Sequence, residues 1–464
     1  MARVRSALVC CVCGSVLLVA LALAGSLSAA SPGWTLAGTL SAGDDPVFAG
    51  NGISVAPGGA GVIAWSDYPG EARYARFSST QPLRRAAYGG RTLLSPFAQG
   101  DLLALGGGRA VVVGLKPSST TLFLLAAQDL GPGAAVSGPQ VLGRQDDRES
   151  DAAVMAAAAN GRLAVLGDTP DNAVLSVAAP HARFGAPVVM SPGGTLTEGG
   201  GEAPATALAV AVDDAGDVLA AWVVNGELQA RWRAADGHLG PVSQIAAVDS
   251  QVWLAAALSA NGSAALVWET QDDRDTARPG PATSATTIAA VTAPLDGSFA
   301  APTQLDSFSA TAARYGTANA AISSTPVVGV VFSGEDPVVA WTGHWGGVFT
   351  IRTADLANPG ASEQTLSDPA QTAVLGSLAA TPGGGAILAW SSQAQTSRQT
   401  EIETAQSAVG AAFEPAQTLP DEDYDFTFYS DPVVVAVDQH SGTAWLAAIG
   451  ASLSRLYLYR EPAP

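Results

Sequence analysis

Three acidic stretches hold most of the chemical capacity visible in this chain. "RQDDRESD" carries Asp146, Asp147, Glu149 and Asp151. "DEDYDFTFYSD" carries Asp421, Glu422, Asp423, Asp425 and Asp431, interleaved with Tyr424, Phe426, Phe428 and Tyr429. "QDDRD" adds Asp272, Asp273 and Asp275. Clustered carboxylates are hard oxygen donors and suit calcium. The candidate ligands are Asp146, Asp147, Glu149, Asp151, Asp421, Asp423 and Asp425. Their spacing matches neither an EF-hand loop nor a nonapeptide calcium repeat. A suitably separated carboxyl pair also hydrolyses glycosidic bonds, one member acting as acid and the other as base or nucleophile. The plainest role is solubility, with the acids in solvated loops.

Aromatic residues offer a second capacity. Tyr424 and Tyr429 stand among carboxylates, and "TGHWGG" sets His344 beside Trp345. Rings next to polar groups suit stacking and hydrogen bonding to carbohydrate or peptide. Phe426 and Phe428 alternate, which fits the start of a buried strand equally well.

Other chemistries are excluded. Zinc needs several convergent nitrogen or sulfur ligands, and His181, His238, His344 and His440 are scattered. Cys10, Cys11 and Cys13 all lie at the extreme N-terminus, so the rest of the chain has no thiol chemistry or disulfide. There is no nucleophile elbow, phosphate loop or dinucleotide fingerprint.

The N-terminus reads as a secretory signal over residues 1–30. Arg3 and Arg5 precede the apolar run "ALVCCVCGSVLLVALALAG", and small residues lead to a cleavage point after Ala30. An uncleaved anchor is the competing reading, because the run nears bilayer length. Cleavage removes two arginines and no acid, turning the net charge of −19 into −21. Such an acidic protein does not bind nucleic acid or anionic membrane through its overall field. The expectation is a secreted or cell-envelope monomer of bacterial origin with no stable membrane insertion after cleavage.

The elements that must position these residues repeat. "GVIAW" ends at Trp65, "GDVLAAWVV" spans Gly216–Val224, "GSAALVW" ends at Trp268, "DPVVAW" at Trp341 and "GAILAW" at Trp390. The clearest unit runs from Ala205 to Ala246. "ALAVAV", "DVLAAW", "LQARWRA" and "PVSQIA" are strand-like, separated by "DDAG", "VNGE" and "ADGHLGP". Four antiparallel strands per unit make a propeller blade. The grammar recurs eight times, with seven as the alternative count because the second and third units are weak. The 434 residues after Ala30 give about 54 per unit, near the ~50 of kelch-type blades.

The last unit stops after three strands, and "GWTLAGTLS" at Gly33–Ser41 is a spare one. Pairing the two closes the ring and removes its open edge. The expected fold is all-β, one four-stranded-blade β-propeller over residues 31–464. Each tryptophan then fills the gap between blades, and each preceding glycine serves a tight turn. The stretches Gln271–Ala285 and Asp306–Gly316 read as loop insertions.

The pattern resembles the repeat propellers of secreted bacterial proteins, of the broad sialidase-like and WD-like kind. "AVDDAGDVLAAW" is similar in outline to the Asp-box turn of sialidases but lacks its Ser and Thr positions. The arginine triad, tyrosine nucleophile and acid partner of that family have no counterpart here. On a propeller, the second-to-third-strand loops and the blade-to-blade connections share one face, where function is expected. The three acidic stretches, His344 and Trp345 fall there; His181, His238 and His440 fall on the other. The reading is an extracellular non-enzymatic propeller that binds a carbohydrate or protein. The alternative is a glycoside hydrolase or lyase using loop carboxylates.

Overall fold

The computed structural model describes residues 33–41, 47–56, 58–67, 71–78, 81–84, 101–105, 109–117, 123–130, 138–145, 153–169, 172–191, 208–248, 251–272, 283–311, 328–345, 347–394, 400–420, 433–450 and 455–462. They form eight four-stranded antiparallel sheets arranged as a ring.

Blade 1 is β2 (Val47–Val55), β3 (Ala60–Asp67), β4 (Glu71–Ser78) and β5 (Gln81–Arg84). Blade 2 is β6 (Asp101–Leu105), β7 (Arg109–Pro117), β8 (Phe123–Leu130) and β9 (Gln140–Gln145). Blade 3 is β10 (Ala153–Ala157), β11 (Leu163–Thr169), β12 (Asn172–Ala178) and β13 (Val188–Val189). Blade 4 is β14 (Leu208–Val212), β15 (Val218–Val224), β16 (Glu227–Arg233) and β17 (Leu239–Ala247). Blade 5 is β18 (Gln251–Leu258), β19 (Ala264–Asp272), β20 (Thr283–Ala293) and β21 (Thr303–Thr311). Blade 6 is β22 (Val328–Ser333), β23 (Asp336–Trp345), β24 (Val348–Asp355) and β25 (Gln364–Thr365). Blade 7 is β26 (Gln371–Ala380), β27 (Ala386–Ala394), β28 (Thr400–Ser407) and β29 (Gln417–Thr418). Blade 8 is β30 (Val434–Val437), β31 (Ala444–Gly450), β32 (Arg455–Glu461) and, from the other end of the chain, β1 (Thr35–Ser41).

The spare strand therefore completes the last blade. β1 pairs antiparallel with β32 from Thr35↔Arg460 to Ser41↔Arg455. Just before it, Trp34 is buried among residues of blades 7 and 8, and its Nε1 donates to Thr404 Oγ1 at 2.9 Å. The ring closes where β2 packs beside β30 and β31.

The repeated phrase has a local cause and a tertiary one. At the end of the first strand, Gly59, Gly161, Gly216, Gly262, Gly384 and Gly442 adopt φ between 74° and 104°. Only glycine takes that region without strain, so it turns the chain into the second strand. That strand is buried on both sides; every residue of β15 is buried. Its tryptophan packs on the preceding blade. Trp222 clusters with Ala164 and Leu166 of blade 3, Trp268 with Leu219 of blade 4, and Trp341 with Val267 of blade 5. Trp390 clusters with Ile351 of blade 6, and Trp65 with residues of blade 8. Trp445 is out of register and packs forward instead, on Phe77 of blade 1, at 4.6 Å between ring centroids. In blade 4 the second-to-third-strand hairpin turns at Asn225 and Gly226, both with positive φ, as a two-residue hairpin requires.

One expectation is corrected. Asp306–Thr311 is no insertion but the second half of β21, paired with β20 as far as Thr283↔Thr311. β19 and β20 likewise extend to Asp272 and back to Thr283, shortening the supposed insertion after Gln271. An outermost strand faces solvent along much of its length, so its polar residues give no apolar run to read.

Candidate functional site

The hairpin of β23 and β24 carries His344 and Trp345 on the face predicted for function. The register is unbroken from Val338↔Asp355 to Trp345↔Val348, so Trp341, Gly343 and Trp345 share one side of β23. At Trp341 and Gly343 that side looks toward blade 5. Trp345, the last residue of the strand, is 68% exposed. His344 stands in an aromatic group. Its ring lies 5.1 Å from Phe349, edge-on, and 5.8 Å from Phe308 of blade 5.

Beneath Trp345 the seam between blades 5 and 6 is polar. Asp306 Oδ2 accepts from Trp341 Nε1 and from Arg352 Nη1, each at 3.0 Å. Arg352 also pairs with Glu363 and lies 5.9 Å from the Trp341 ring centroid. Gly343 makes room for this: a Cβ there would meet Arg352 Cδ at 2.5 Å and Asp306 Oδ2 at 2.8 Å. The glycine of "TGHWGG" thus seats an ion pair.

Register sets Trp253, Glu269, Ile288 and Asp306 in one row across blade 5. Glu269 is buried, and its Oε2 has no hydrogen-bond partner. Nor have Trp253 Nε1, Thr286 Oγ1 and Thr350 Oγ1. Burial with no cation to offset it pushes the Glu269 carboxyl up to about 8, so it is neutral at pH 7. Burial moves two more glutamates in the same direction. Burial raises Glu403 despite the hydrogen bond it accepts from Trp390 Nε1 at 2.8 Å. Burial raises Glu461 to about 7 despite the Gln406 amide, with Glu414 adding to the rise. No signal in "VWETQ" or "EIETAQ" marks these residues as buried.

The opposite face carries the first-to-second-strand turns. They surround an axial cavity of about 930 Å³, lined by residues of seven blades. Its walls are apolar where the inner strands end, at Val212, Leu258, Leu378, Val435 and Val437. Neighbouring turns are tied together. Asn160 N donates to Asp214 Oδ1 at 2.8 Å, and Asn160 Nδ2 to Asp214 O at 2.7 Å. Asn261 Nδ2 donates to Glu335 Oε2, and Gln439 Nε2 to Ala380 O at 2.8 Å. Gly58 N reaches Asp438 Oδ1 at 3.2 Å across the closure between blades 8 and 1.

His181, His238 and His440 lie in turns of this second face. Asp146, Asp147, Glu149, Asp151, Asp421, Asp423, Asp425, Tyr424 and Tyr429 lie outside the described residues. Among the described residues no group of three or more His, Cys, Asp or Glu could hold a metal ion.

No family model and no curated protein matches the chain. Solved structures do. A fucose-specific lectin from Aleuria aurantia is 13% identical with a TM-score of 0.36, covering 68% of this chain and 93% of its own. An ulvan lyase, bound to a glucuronate–sulfated rhamnose unit, is 9% identical with a TM-score of 0.49, covering 91% and 96%. Likeness at this level is one of fold, and neither protein's ligand nor activity passes to this chain by it. What the chain's own strand order establishes is an eight-bladed β-propeller.

Proposed function

We propose that the chain is an extracellular binding propeller that holds a carbohydrate or protein ligand on the face carrying Trp345. One observation carries the reading. Of ten tryptophans, nine are at most 6% exposed and serve the blade interfaces, while Trp345 is 68% exposed at a hairpin end. An indole held open to water on a rigid strand is a stacking platform for a sugar ring or an apolar side chain.

The described carboxyls below Trp345 are taken up by the fold. Asp306 is committed to Trp341 and Arg352, and Glu269 is enclosed. Neither is presented to a substrate as a general acid or base must be.

Trp345 is the indole most accessible to acrylamide quenching. A panel of soluble polysaccharides and peptides should contain a ligand that shields this quenchable fraction. Trp345→Phe should lack the fraction and lose affinity. A ligand that binds equally well to Trp345→Phe would remove Trp345 from the site. New reducing ends or unsaturated sugar in the same incubations would replace the binding reading with the enzymatic one.

A further inference from the structure

We infer that the axial cavity on the turn face is a second binding site, built for a small organic cation with an apolar stem. It is separate from the Trp345 rim and does not depend on that rim's having a ligand.

Size and rigidity come first. About 930 Å³ lies within the range of small-molecule pockets. Hydrogen bonds between neighbouring turns join blade 3 to 4, 5 to 6, 7 to 8 and 8 to 1. A collar tied in this way holds its shape before a ligand arrives, which lowers the ordering cost of binding.

Charge selects the class. Among the described residues the lining includes Asp213, Asp214 and Glu335, and neither lysine nor arginine. Asp213 Oδ1 is spent on its own turn, accepting from Gly216 N at 2.7 Å and Asp217 N at 2.9 Å. Asp214 and Glu335 are exposed, and each spends one side-chain oxygen on the collar. The second oxygen of each has no hydrogen-bond partner among the described residues. Two half-used carboxylates over an apolar wall suit an ammonium group on a hydrocarbon stem.

The test is calorimetric titration of the purified protein with hexylammonium, hexanol and hexanoate. Hexylammonium should bind saturably at one site per chain, at least about tenfold more tightly than the other two. The double variant Asp214→Asn, Glu335→Gln keeps the oxygens that accept from Asn160 and Asn261, so the collar stays tied while the charge is gone. It should fold normally and bind hexylammonium about tenfold more weakly. Trp345→Ala should leave this binding unchanged, which separates it from any ligand of the other face. Absence of saturable hexylammonium binding would overturn the inference. Equal binding of hexanol, or unchanged affinity in a folded double variant, would do the same.

Discussion

Trp341 and Trp345 stand four residues apart on one side of one strand and end in opposite environments. Trp341 is 1% exposed, packed on Val267 of blade 5 and hydrogen-bonded to Asp306. Trp345 is 68% exposed. Strand alternation gives both the same direction, so direction does not separate them. Depth does. Blade 5 covers the row holding Trp341, whereas Trp345 is the last residue of β23 and pairs only with Val348 across the hairpin. The same residue type is mortar at one point on the strand and available surface four pairs further on.

The comparison is broken most easily by truncation. Trp341→Ala should cost about 3–5 kcal/mol, because it opens a cavity and strands Asp306 and Arg352. A denaturant midpoint comparable to that of Trp345→Ala would refute the distinction.

Next in size is the pH response of the same seam. Glu269 ordinarily titrates near 4.5 and is raised by burial to about 8. The folded state therefore holds a proton that the unfolded state releases between these values. Stability should fall as pH rises from about 4.5 to about 8 and level off above. Glu461 and Glu403 act with the same sign. Asp438 acts in the opposite sense. Burial alone would raise it, but the Ser441 hydroxyl and the backbone N–H groups of His440, Gly58 and Ser441 lower it overall. Its contribution is lost as pH falls below the ordinary 3.8. Maximum stability should lie near pH 4–5, about where these opposing trends meet. Glu269→Gln should stabilise the protein at pH 8 by on the order of 2 kcal/mol and flatten the slope. Thermal melts from pH 4 to about 9 read both, and an unchanged slope would deny Glu269 its place in the seam.

Smaller effects sharpen the boundary between buried and available. Arg352→Met removes the cation shared by Asp306 and Glu363 and should cost about 1–3 kcal/mol. Added salt should change this little, since the pair is mostly buried. Trp345→Ala should stay within about 0.5 kcal/mol of the parent while losing the ligand of that face. The smallest effect belongs to calcium. A site among Asp146, Asp147, Glu149, Asp151, Asp421, Asp423 and Asp425 would add about 0.4 kcal/mol at a calcium concentration equal to Kd and more above it. A melting temperature indifferent to calcium and to chelator would return those residues to solvated surface.

Much of the fold was legible because its signals are local. Glycine before an apolar run ending in tryptophan marked the second strand of five blades, and "GWTLAGTLS" marked the strand that closes the ring. Trp445 was visible as out of register, and its forward packing on Phe77 gives that departure a structural meaning. The polar half of β21 was not legible, because an outer strand needs no apolar pattern. The site was legible only in part. "TGHWGG" drew attention to Trp345, but nothing in it separated the exposed Trp345 from the buried Trp341. The collar residues Asn160, Asp214, Asn261 and Glu335 read as ordinary turns, since their partners lie in the next blade.

Read alone, the chain shows where most strands begin and turn and leaves eight blades against seven, a choice made by the eight sheets of the fold. The chain also shows which strand completes the ring. Alternation and a glycine's left-handed φ act over a few residues, so they can be read from a few residues. Which tryptophan meets water, which glutamates lose it, and which turns enclose a cavity follow from the packing of the blades. Each of those outcomes depends on how far a neighbouring blade, tens of residues away in the chain, covers the residue in question.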